Sequence, residues 1–148
     1  MTSIFDMIEN TTSLQAADGS FVDLESVFKH KKIIGLYFSA HWCGPCRSFT
    51  PRLVQFYNER KAAAADDFEI IFVSSDNTRS GFNDYSASMP WLSLPYQNRD
   101  VAEELNDCYK ISGIPALVLL SADGKLRSKQ GRDLIYTNPG NFPWGISL

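Results

Sequence analysis

The sequence predicts an α/β fold in which a central mixed β-sheet is flanked by helices on both faces. Short apolar runs rich in β-branched and aromatic residues alternate with segments whose apolar residues recur every three or four positions, a pattern typical of alternating strands and helices. Near the C-terminus, the hairpin signal Asp123-Gly124 indicates antiparallel pairing in part of the sheet. At 148 residues with 44% hydrophobic residues, the chain has the size of one domain, predicted to cover residues 1–148.

The elements before the first core strand are short. Residues 1–10 are amphipathic and predict one or two helical turns. The turn signal Asp18-Gly19 predicts a β-hairpin, and a brief helix is predicted from Leu24 to Phe28. The nearly continuous apolar run Ile33–Phe38 is typical of a strand that is buried on both faces.

A long helix is predicted from about Cys46 to Ala64, kinked at Pro51 because proline removes one backbone donor. The segment Met89–Tyr96 is apolar but contains two prolines, which favours a packed loop with Trp91 filling the core. The other predicted elements are a strand Phe68–Ser75, a helix from about Ser80 to Ser88, a helix Arg99–Lys110, a strand Ala116–Leu120, an edge hairpin with Lys125–Gln130, and a C-terminal segment 138–148 held by Phe142 and Trp144.

Two cysteines separated by two residues lie on the turn between the strand Ile33–Phe38 and the long helix. The first turn of a helix has unpaired N–H groups and the positive end of the helix dipole, so it favours a thiolate. Cys43 is therefore predicted to be the nucleophile. Cys46 lies one helical turn further along, where it can attack the mixed disulfide formed at Cys43. Gly44 leaves room for an incoming disulfide, and Pro45 stiffens the turn.

A zinc site and a purely structural disulfide are the alternatives for such a pair. Zinc usually takes four Cys or His ligands, whereas outside the pair the chain offers only Cys108, His30 and His41, so no metal is predicted. A disulfide across two residues closes too small a loop to restrain the unfolded chain much. Cys108 is predicted to lie toward the apolar side of its helix as a buried, inert thiol, with a regulatory thiol as the alternative.

Composition excludes several function classes. The formal net charge is −3 and no Lys/Arg-rich block occurs, which argues against binding to nucleic acid or to an anionic membrane. No stretch reaches transmembrane length, and the N-terminus lacks the basic and apolar regions of a signal peptide. Three cysteines with one close pair do not make a secreted disulfide framework. These features predict a soluble cytoplasmic protein, with the nucleus as the alternative compartment.

The cysteine motif is identical to the active-site sequence of thioredoxin, and a proline five residues after the second cysteine, Pro51, also matches. The motif consists of Trp42, Cys43, Gly44, Pro45 and Cys46. The wider sequence resembles the tryparedoxin and nucleoredoxin branch of the thioredoxin superfamily in five blocks, which are Tyr37–Cys43, Phe49–Pro51, Met89–Leu92, Gly113–Pro115 and Phe142–Trp144. The resemblance implies a thioredoxin-like fold.

The resemblance also implies where a substrate binds. In the thioredoxin fold the proline equivalent to Pro115 is cis and faces the dithiol, where the neighbouring backbone can pair with an extended substrate segment. The Ile114–Pro115 bond is therefore expected to be cis and to form a groove wall beside Cys43. Trp42 is expected to shield the sulfurs. The predicted substrate groove consists of Trp42, Gly44, Pro45, Ile114 and Pro115.

The chain departs from this branch and from thioredoxin at two positions. Tryparedoxins and nucleoredoxins usually carry Pro-Pro between the cysteines, whereas this chain has Gly44-Pro45, so the electron donor is not carried over. Thioredoxin has a buried Asp where this chain has Tyr37, so the proton acceptor is not carried over either. Asp76, which follows the next core strand, is the candidate acceptor, with capping of the following helix as the competing interpretation. His41 either modulates the nucleophile or is an exposed spectator.

The predicted function is reduction of protein disulfides through Cys43 and Cys46, without a metal or a bound organic cofactor. The expected partners are disulfide-containing proteins and a reducing dithiol or reductase that restores the thiols. A redox-regulated protein-binding module of the nucleoredoxin type is the alternative, and an isomerase of secreted proteins is a third. Arg132, in a Gly-Arg pair that resembles nucleoredoxin, either contacts an anionic group of the substrate or is a solvated surface residue.

Overall fold

The computed structural model describes residues 2–64 and 66–146, and no helix in these residues is long and apolar enough to cross a membrane. Within them the chain forms strands, α-helices and two 3₁₀ turns. The strands are β1 (Ser13–Gln15), β2 (Phe21–Asp23), β3 (Ile33–Ser39), β4 (Phe68–Ser74), β5 (Leu92–Ser93), β6 (Ala116–Ser121) and β7 (Leu126–Ser128). The helices are α1 (Leu24–His30), α2 (Gly44–Ala63), α3 (Arg79–Ser86), α4 (Arg99–Cys108) and α5 (Gly131–Thr137), and the 3₁₀ turns are Ile4–Asp6 and Pro139–Asn141.

The strands form one sheet in the order β2-β1-β5-β4-β3-β6-β7. In its interior, β3 pairs in parallel with β4 and antiparallel with β6. The hairpins predicted from Asp18-Gly19 and Asp123-Gly124 form the two edges of the sheet. The predicted mixed sheet is confirmed. Because β3 and β4 are parallel neighbours, the loops that follow them lie side by side at the C-terminal ends of these strands. Binding and active sites of α/β proteins are usually found at this end of the sheet.

β3 is buried along its whole length because its side chains alternate between two cores. Ile34, Leu36 and Phe38 face the core that contains α1 and α4. Ile33 and Tyr37 face the core that contains α2, α3 and α5. Helices therefore cover both faces, as predicted. Tyr37 lies in the same layer as α2, the helix that begins at the cysteine motif.

The N-termini of α1 and α3 are capped by side chains. Asp23 accepts a hydrogen bond from the Ser26 N–H at 2.8 Å, and Thr78 accepts one from the Gly81 N–H at 3.0 Å. Each cap satisfies one backbone donor that has no partner inside the helix. Since Thr78 caps α3, the interpretation of Asp76 as the cap of this helix is wrong.

The short strand β5 lies inside the segment that was predicted to be a loop. Leu92 and Ser93 pair in parallel with Ile71 and Phe72 of β4. A proline on each side of this pair prevents a longer ladder, because proline donates no backbone hydrogen bond. The loop prediction is therefore wrong at these two residues. Trp91, beside them, is 2% exposed and fills the core as predicted.

Sequence analysis did not predict α5. This helix approaches β6 so closely that a Cβ atom added to Gly131 would lie 2.6 Å from the carbonyl oxygen of Leu117. Glycine is thus required here by packing against the sheet. A glycine next to a polar residue resembles a turn in the sequence, and the seven-residue helix is too short to show a clear period.

The prediction that Cys108 is buried is wrong, because this residue is exposed. The buried stripe of α4 and the following residue consists of Ala102, Leu105 and Tyr109, which follow one another at steps of three and four. Cys108 precedes Tyr109, and one residue of an α-helix turns the side chain by about 100°. The sulfur therefore lies on the flank of the helix and not on the apolar side.

The C-terminal segment is held by Phe142 and Trp144, as predicted, and it packs on the α2 side of the sheet. The Trp144 ring stacks on Phe56 with centroids 5.6 Å apart, and Phe142 meets Phe68 edge to face at 5.8 Å. These contacts hold the segment as far as residue 146. The prediction extended to residue 148, and residues 147 and 148 lie outside the described part of the chain.

Candidate active site

The cysteine motif occupies the turn between β3 and α2. Cys43 is the N-cap residue of α2, and its Sγ accepts a hydrogen bond from the Cys46 N–H at 3.3 Å. The Cys43 N–H in turn donates to the Ala40 carbonyl at 3.2 Å, which closes the turn. Pro45 lies in the first turn of the helix, where its missing N–H costs no helical hydrogen bond. α2 begins at Gly44, two residues before the predicted start at Cys46. Both sulfurs therefore lie at the N-terminus of this helix.

The two sulfurs differ in access. Cys43 is 7% exposed and Cys46 is 0% exposed, and both are free thiols. Around Cys43 the surface is open, since Trp42 is 59% exposed and Gly44 and Pro45 are exposed as well. An incoming disulfide therefore reaches Cys43 first. Cys46 is placed to react with a sulfur that is already bound to Cys43.

The wall predicted at Ile114 and Pro115 lies beside Cys43. The Ile114–Pro115 peptide bond is cis, as expected from the resemblance. The Cys43 thiol donates to the Ile114 carbonyl oxygen over 3.7 Å, and Ile114 packs against the small cluster formed by Ala40, Cys43 and Cys46. On the opposite side, the Trp42 indole N–H donates to the Ser75 carbonyl at 3.1 Å. The structure thus brings the motif and this wall together.

The environment of Cys46 holds its thiol in the neutral form at neutral pH. Burial, followed by the hydrogen bond with Cys43, raises the pKa of the Cys46 thiol to about 11, while hydrogen bonds with the Ser39 hydroxyl and the Ala40 backbone act in the opposite direction. A thiol attacks a disulfide as its thiolate. Cys46 must therefore lose a proton during resolution, and its surroundings decide how readily that happens.

Four buried hydroxyl groups lie next to Cys46, and we call them the hydroxyl cluster: Tyr37, Ser39, Thr50 and Tyr85. The Thr50 hydroxyl lies 2.6 Å from the Tyr37 hydroxyl, 2.6 Å from the Tyr85 hydroxyl and 2.9 Å from the Cys46 carbonyl oxygen. The Ser39 and Tyr85 hydroxyls are 2.6 Å apart. Burial raises the pKa of Tyr37 and of Tyr85, so both phenols remain protonated donors.

Sequence analysis identified only Tyr37 among these groups, through its position in place of the thioredoxin Asp. Ser39, Thr50 and Tyr85 come from β3, α2 and α3, so the fold is needed to bring them together. Thr50 carried one local signal. A threonine one helical turn after a cysteine can bond back to the carbonyl of that cysteine, and this bond is present.

Asp76 is buried next to the cysteine motif and stabilises the loop before it. One carboxylate oxygen accepts the His41 N–H at 2.7 Å, and the other accepts the Ser74 hydroxyl at 2.6 Å. Asp76 thereby connects the ends of β3 and β4. Neither bond runs to a cysteine, and its role as proton acceptor stays a prediction.

Two further residues from the sequence analysis lie near the motif. His41 is exposed, and its ring meets Tyr85 edge to face at 6.0 Å. Arg132 is half-buried and lines a cavity of about 370 Å³ together with Pro115, Lys110 and Lys129. This cavity, which Asp133 also lines, shares Pro115 with the predicted groove.

No group of three or more His, Cys, Asp or Glu side chains with the arrangement of a metal site occurs in residues 2–64 and 66–146. The Cys43 sulfur accepts a hydrogen bond from the Cys46 N–H, and the His41 ring contacts the Tyr85 ring. The donor set needed for a tetrahedral zinc site is thus not assembled around the dithiol in this part of the chain.

A pair of free thiols at the start of a helix, one 7% exposed beside an open surface and one fully buried behind it, defines the site of a thiol–disulfide oxidoreductase. The thioredoxin-like family model matches residues 31–126, which include the motif and Pro115. The chain belongs to the thioredoxin-like family, which confirms the fold and the resemblance inferred from the sequence.

Within this family the chain is similar to tryparedoxins and nucleoredoxins. It is 38% identical to tryparedoxin of Trypanosoma brucei brucei over 147 residues, covering 97% of this chain and 99% of that protein. It is 43% identical to nucleoredoxin of Danio rerio over 136 residues, covering 90% of this chain. A structure of tryparedoxin II complexed with glutathionylspermidine has a TM-score of 0.86 and 33% identity, covering 97% of this chain and 99% of that chain.

The nucleoredoxin relatives are much longer than the region that they share with this chain. The chain spans 29% of the nucleoredoxin of Danio rerio and 20% of a probable nucleoredoxin of Arabidopsis thaliana. The tryparedoxin of Trypanosoma brucei brucei is matched over 99% of its length. The shared region is therefore one thioredoxin-like unit, which stands alone in the tryparedoxin and is part of a longer chain in the nucleoredoxins.

Proposed function

We propose that this chain reduces disulfide bonds of proteins, with Cys43 as the nucleophile and Cys46 as the resolving thiol. One observation carries the proposal. The Cys43 sulfur lies at the N-terminus of α2, accepts the Cys46 N–H at 3.3 Å, and faces a surface that is open at Trp42 and Pro45. A backbone N–H bond stabilises a sulfur that carries negative charge.

The reaction proceeds in two exchanges. The Cys43 thiolate attacks one sulfur of the substrate disulfide, whose S–S bond breaks, and the electron pair leaves on the other substrate sulfur, which takes up a proton. Cys46 then attacks the Cys43 sulfur of the mixed disulfide. The second substrate sulfur leaves as a thiolate, and the proton lost by Cys46 balances the one it takes up. The substrate gains two electrons and two protons, which the dithiol loses.

The substrate segment binds between Trp42 and the wall formed by Ile114 and Pro115. The Cys43 sulfur lies 3.7 Å from the Ile114 carbonyl oxygen, so the backbone around an attacked cysteine must pass close to this residue. An extended segment can pair there as an added strand, which uses backbone hydrogen bonds and therefore tolerates many sequences. This supports disulfide-containing proteins as the substrate class.

A dithiol or a reductase restores the reduced state, and no bound organic cofactor takes part. The similarity to a tryparedoxin II that was solved with glutathionylspermidine supports a glutathione-derived thiol as one donor to test. Gly44 between the cysteines, as in thioredoxin, supports thioredoxin reductase as another. The proposed compartment is the cytoplasm, where a reducing environment keeps such a dithiol available.

The test is reduction of insulin disulfides by the purified chain, with each candidate donor supplied separately. We expect turnover with at least one donor and its loss in Cys43→Ser, because a serine hydroxyl does not form the mixed disulfide. Cys108→Ser is the matched control, since it makes the same substitution at a thiol far along the chain, and should retain turnover.

Turnover that persists in Cys43→Ser would contradict the proposal. So would the absence of turnover with every donor despite a reducible Cys43–Cys46 disulfide. That second result would favour a redox-regulated binding module. Such a module would bind its partner through the surface around the exposed Trp42, with an affinity that depends on whether the thiols are reduced or oxidised.

A further inference from the structure

The last residue of β4 and the two residues after it hold the exposed ring of Trp42, and we call residues 74–76 the support loop. The Ser75 carbonyl in this loop accepts the Trp42 indole N–H at 3.1 Å. Trp42 is 59% exposed, so packing holds only part of its ring. The direction of the Ser75 carbonyl therefore sets where the N–H edge of the indole lies beside Cys43.

Arg99, the first residue of α4, binds the residue before Ser75. Its Nη1 donates to the Ser74 carbonyl at 2.8 Å, and its Nε donates to the Tyr96 carbonyl at 2.5 Å. The Arg99 guanidinium lies over the Tyr96 ring, 4.3 Å from the ring centroid. Arg99 thus joins the support loop to the segment that leads into α4.

The hydrogen bonds from Arg99 and from Trp42 fall on neighbouring peptide groups. The first peptide group joins Ser74 to Ser75. Arg99 binds its carbonyl, and its N–H donates to the Ser39 carbonyl at 2.9 Å. The second peptide group begins with the Ser75 carbonyl, which accepts from Trp42. Because each peptide group is planar, only the φ and ψ angles of Ser75 relate the two. A first group that is held at both its carbonyl and its N–H therefore limits the direction of the second carbonyl.

The Arg99 side chain supplies its hydrogen bond at the point where the sheet ends beside β4. The Leu94 N–H donates to the Phe72 carbonyl at 2.9 Å, and Pro95, which follows, has no N–H. Two residues after Phe72, the Ser74 carbonyl accepts from the Arg99 guanidinium. The side chain thus takes the place of a backbone donor from the neighbouring strand.

Arginine suits this position because its guanidinium is a planar fork whose nitrogens can bind two carbonyls at once. A hydrogen bond from a charged donor is also stronger than one between neutral groups. The contact with the Tyr96 ring holds the guanidinium in place. A lysine in place of Arg99 would have one nitrogen for both carbonyls.

We propose that Arg99 is a positioning residue, which fixes Trp42 in the substrate groove through the peptide group between Ser74 and Ser75. The inference rests on the proposed function, because it concerns how the groove receives a protein disulfide. Arg99 takes no part in either thiol exchange and acts on the docking of the substrate beside Cys43. Its loss should weaken the reaction with a protein disulfide, while Cys43 keeps its own reactivity.

The first test compares a protein substrate with a small reagent. All proteins carry Cys46→Ser and Cys108→Ser, so Cys43 is the single thiol and each first exchange is trapped as a mixed disulfide, which mass spectrometry counts. Arg99→Met keeps an unbranched side chain but donates no hydrogen bond. We expect its rate of mixed-disulfide formation with insulin to fall about fivefold, the effect of one lost hydrogen bond. Alkylation by iodoacetamide, which needs no groove, should stay within about twofold of the parent rate.

The second test reads the position of Trp42 without any reaction. In a proton–nitrogen correlation spectrum, the Trp42 indole N–H is assigned with Trp42→Phe. In Arg99→Met this resonance should move toward that of a solvent-exposed indole, and its proton should exchange faster with water. The Trp144 indole N–H, which donates to the Asn138 carbonyl at 2.7 Å, is an internal control in the same spectrum and should not move.

A double-mutant cycle shows whether Arg99 acts through Trp42. Trp42→Phe keeps an aromatic ring but has no N–H for the Ser75 carbonyl. Adding Arg99→Met to Trp42→Phe should cause little further loss of rate with insulin, because both substitutions break the same series of hydrogen bonds. Losses that multiply would mean that Arg99 acts by another route, and would overturn the inference.

Arg79→Met is the matched control. The Arg79 guanidinium also lies over the Tyr96 ring, 5.5 Å from the centroid, so this substitution removes the same charge from the same ring. It should leave the rate with insulin and the Trp42 indole resonance unchanged. Arg99→Lys keeps the charge on a single nitrogen and should fall between the parent and Arg99→Met in both tests. It carries both tests if Arg99→Met does not fold.

Three further results would overturn the inference. They are an equal loss of rate in Arg79→Met, a Trp42 indole resonance that the Arg99 variants leave in place, and alkylation of Cys43 that slows as much as the reaction with insulin. A parent protein that forms no mixed disulfide with insulin would instead count against the proposed function. In that case the indole resonances would still decide whether Arg99 positions Trp42.

Discussion

The thiols of this protein occupy opposite ends of two helices. Cys43 and Cys46 lie at the N-terminus of α2, whereas Cys108 is the last residue of α4. The N-terminus of a helix has unpaired N–H groups and the positive end of the helix dipole, whereas its C-terminus has unpaired carbonyl groups and the negative end. Access runs the other way, because Cys108 is exposed while both motif cysteines are buried. Position on the helix, more than exposure, therefore separates a dithiol site from an ordinary surface thiol.

The two sites also differ in the neighbours of their thiols. Loss of hydration, followed by the carboxylates of Glu104 and Asp107, raises the pKa of the exposed Cys108 thiol. Cys46 also has a raised pKa, but its N–H bonds to the Cys43 sulfur at 3.3 Å. A thiol held this close acts at a high effective concentration, which offsets a small thiolate fraction. Cys108 has an acidic neighbour in place of a second thiol.

Cys46→Ser should have the largest effect, because it turns the dithiol into a lone thiol like Cys108. Cys43 can still attack, but release of the substrate then depends on an external thiol. We expect steady-state turnover to fall by at least about a hundredfold, since the intramolecular step is lost. Mass spectrometry of the protein after exposure to a disulfide substrate should show an accumulated mixed disulfide at Cys43.

Cys108→Ser provides the comparison for this trapping experiment and should form no lasting mixed disulfide at Cys43. The expected contrast fails if Cys46→Ser turns over at the parent rate. It also fails if the substrate is found attached to Cys108 in the trapped protein. Either result would mean that resolution does not run through the buried sulfur.

The strand–turn–helix that carries the dithiol could be predicted from the sequence because its signals are local. An apolar run, two cysteines and a three-to-four residue period place Cys43 and Cys46 without knowledge of the rest of the chain. The groove wall needed more, since Ile114 is distant in sequence and was placed through the resemblance to a family. The structure puts its carbonyl oxygen 3.7 Å from the Cys43 sulfur.

The features that escaped prediction depend on contacts between elements. The hydroxyl cluster joins β3, α2 and α3, and serine, threonine and tyrosine carry no spacing signal that relates one element to another. α5 depends on the close approach of Gly131 to Leu117. The exposure of Cys108 depends on which of two adjacent residues faces the core, and Tyr109 takes that place. Helical periodicity alone does not decide between neighbours at the end of a helix.

Glu104→Gln should raise the reactivity of Cys108 modestly. The Cys108 sulfur lies 3.8 Å from the Glu104 carboxylate, one helical turn away, and this carboxylate raises the pKa of the thiol. Removing its charge lowers that pKa, so the thiolate fraction at neutral pH increases. We expect alkylation of Cys108 to accelerate by about twofold, the size of one like-charge interaction on an exposed helix.

The measurement is the alkylation rate of Cys108 as a function of pH, in a protein whose dithiol is held oxidised. The profile of Glu104→Gln should move to lower pH, and Glu103→Gln, which removes a neighbouring charge on the same helix, is the matched control. A shift of equal size in both variants would assign the effect to the net charge of α4. A profile that does not move would remove Glu104 from the account of Cys108.

Cys108→Ser should have the smallest effect and leave disulfide reduction unchanged within about twofold, as is usual for a surface substitution away from buried contacts. The substitution replaces an exposed side chain on the flank of α4, and the buried residues Ala102, Leu105 and Tyr109 keep their packing. Turnover and the midpoint of thermal unfolding, measured on the same preparation, check both parts of this expectation. A loss of turnover with unchanged stability would contradict it, and would show that the third thiol takes part in the exchange although it lies at the unfavourable end of its helix.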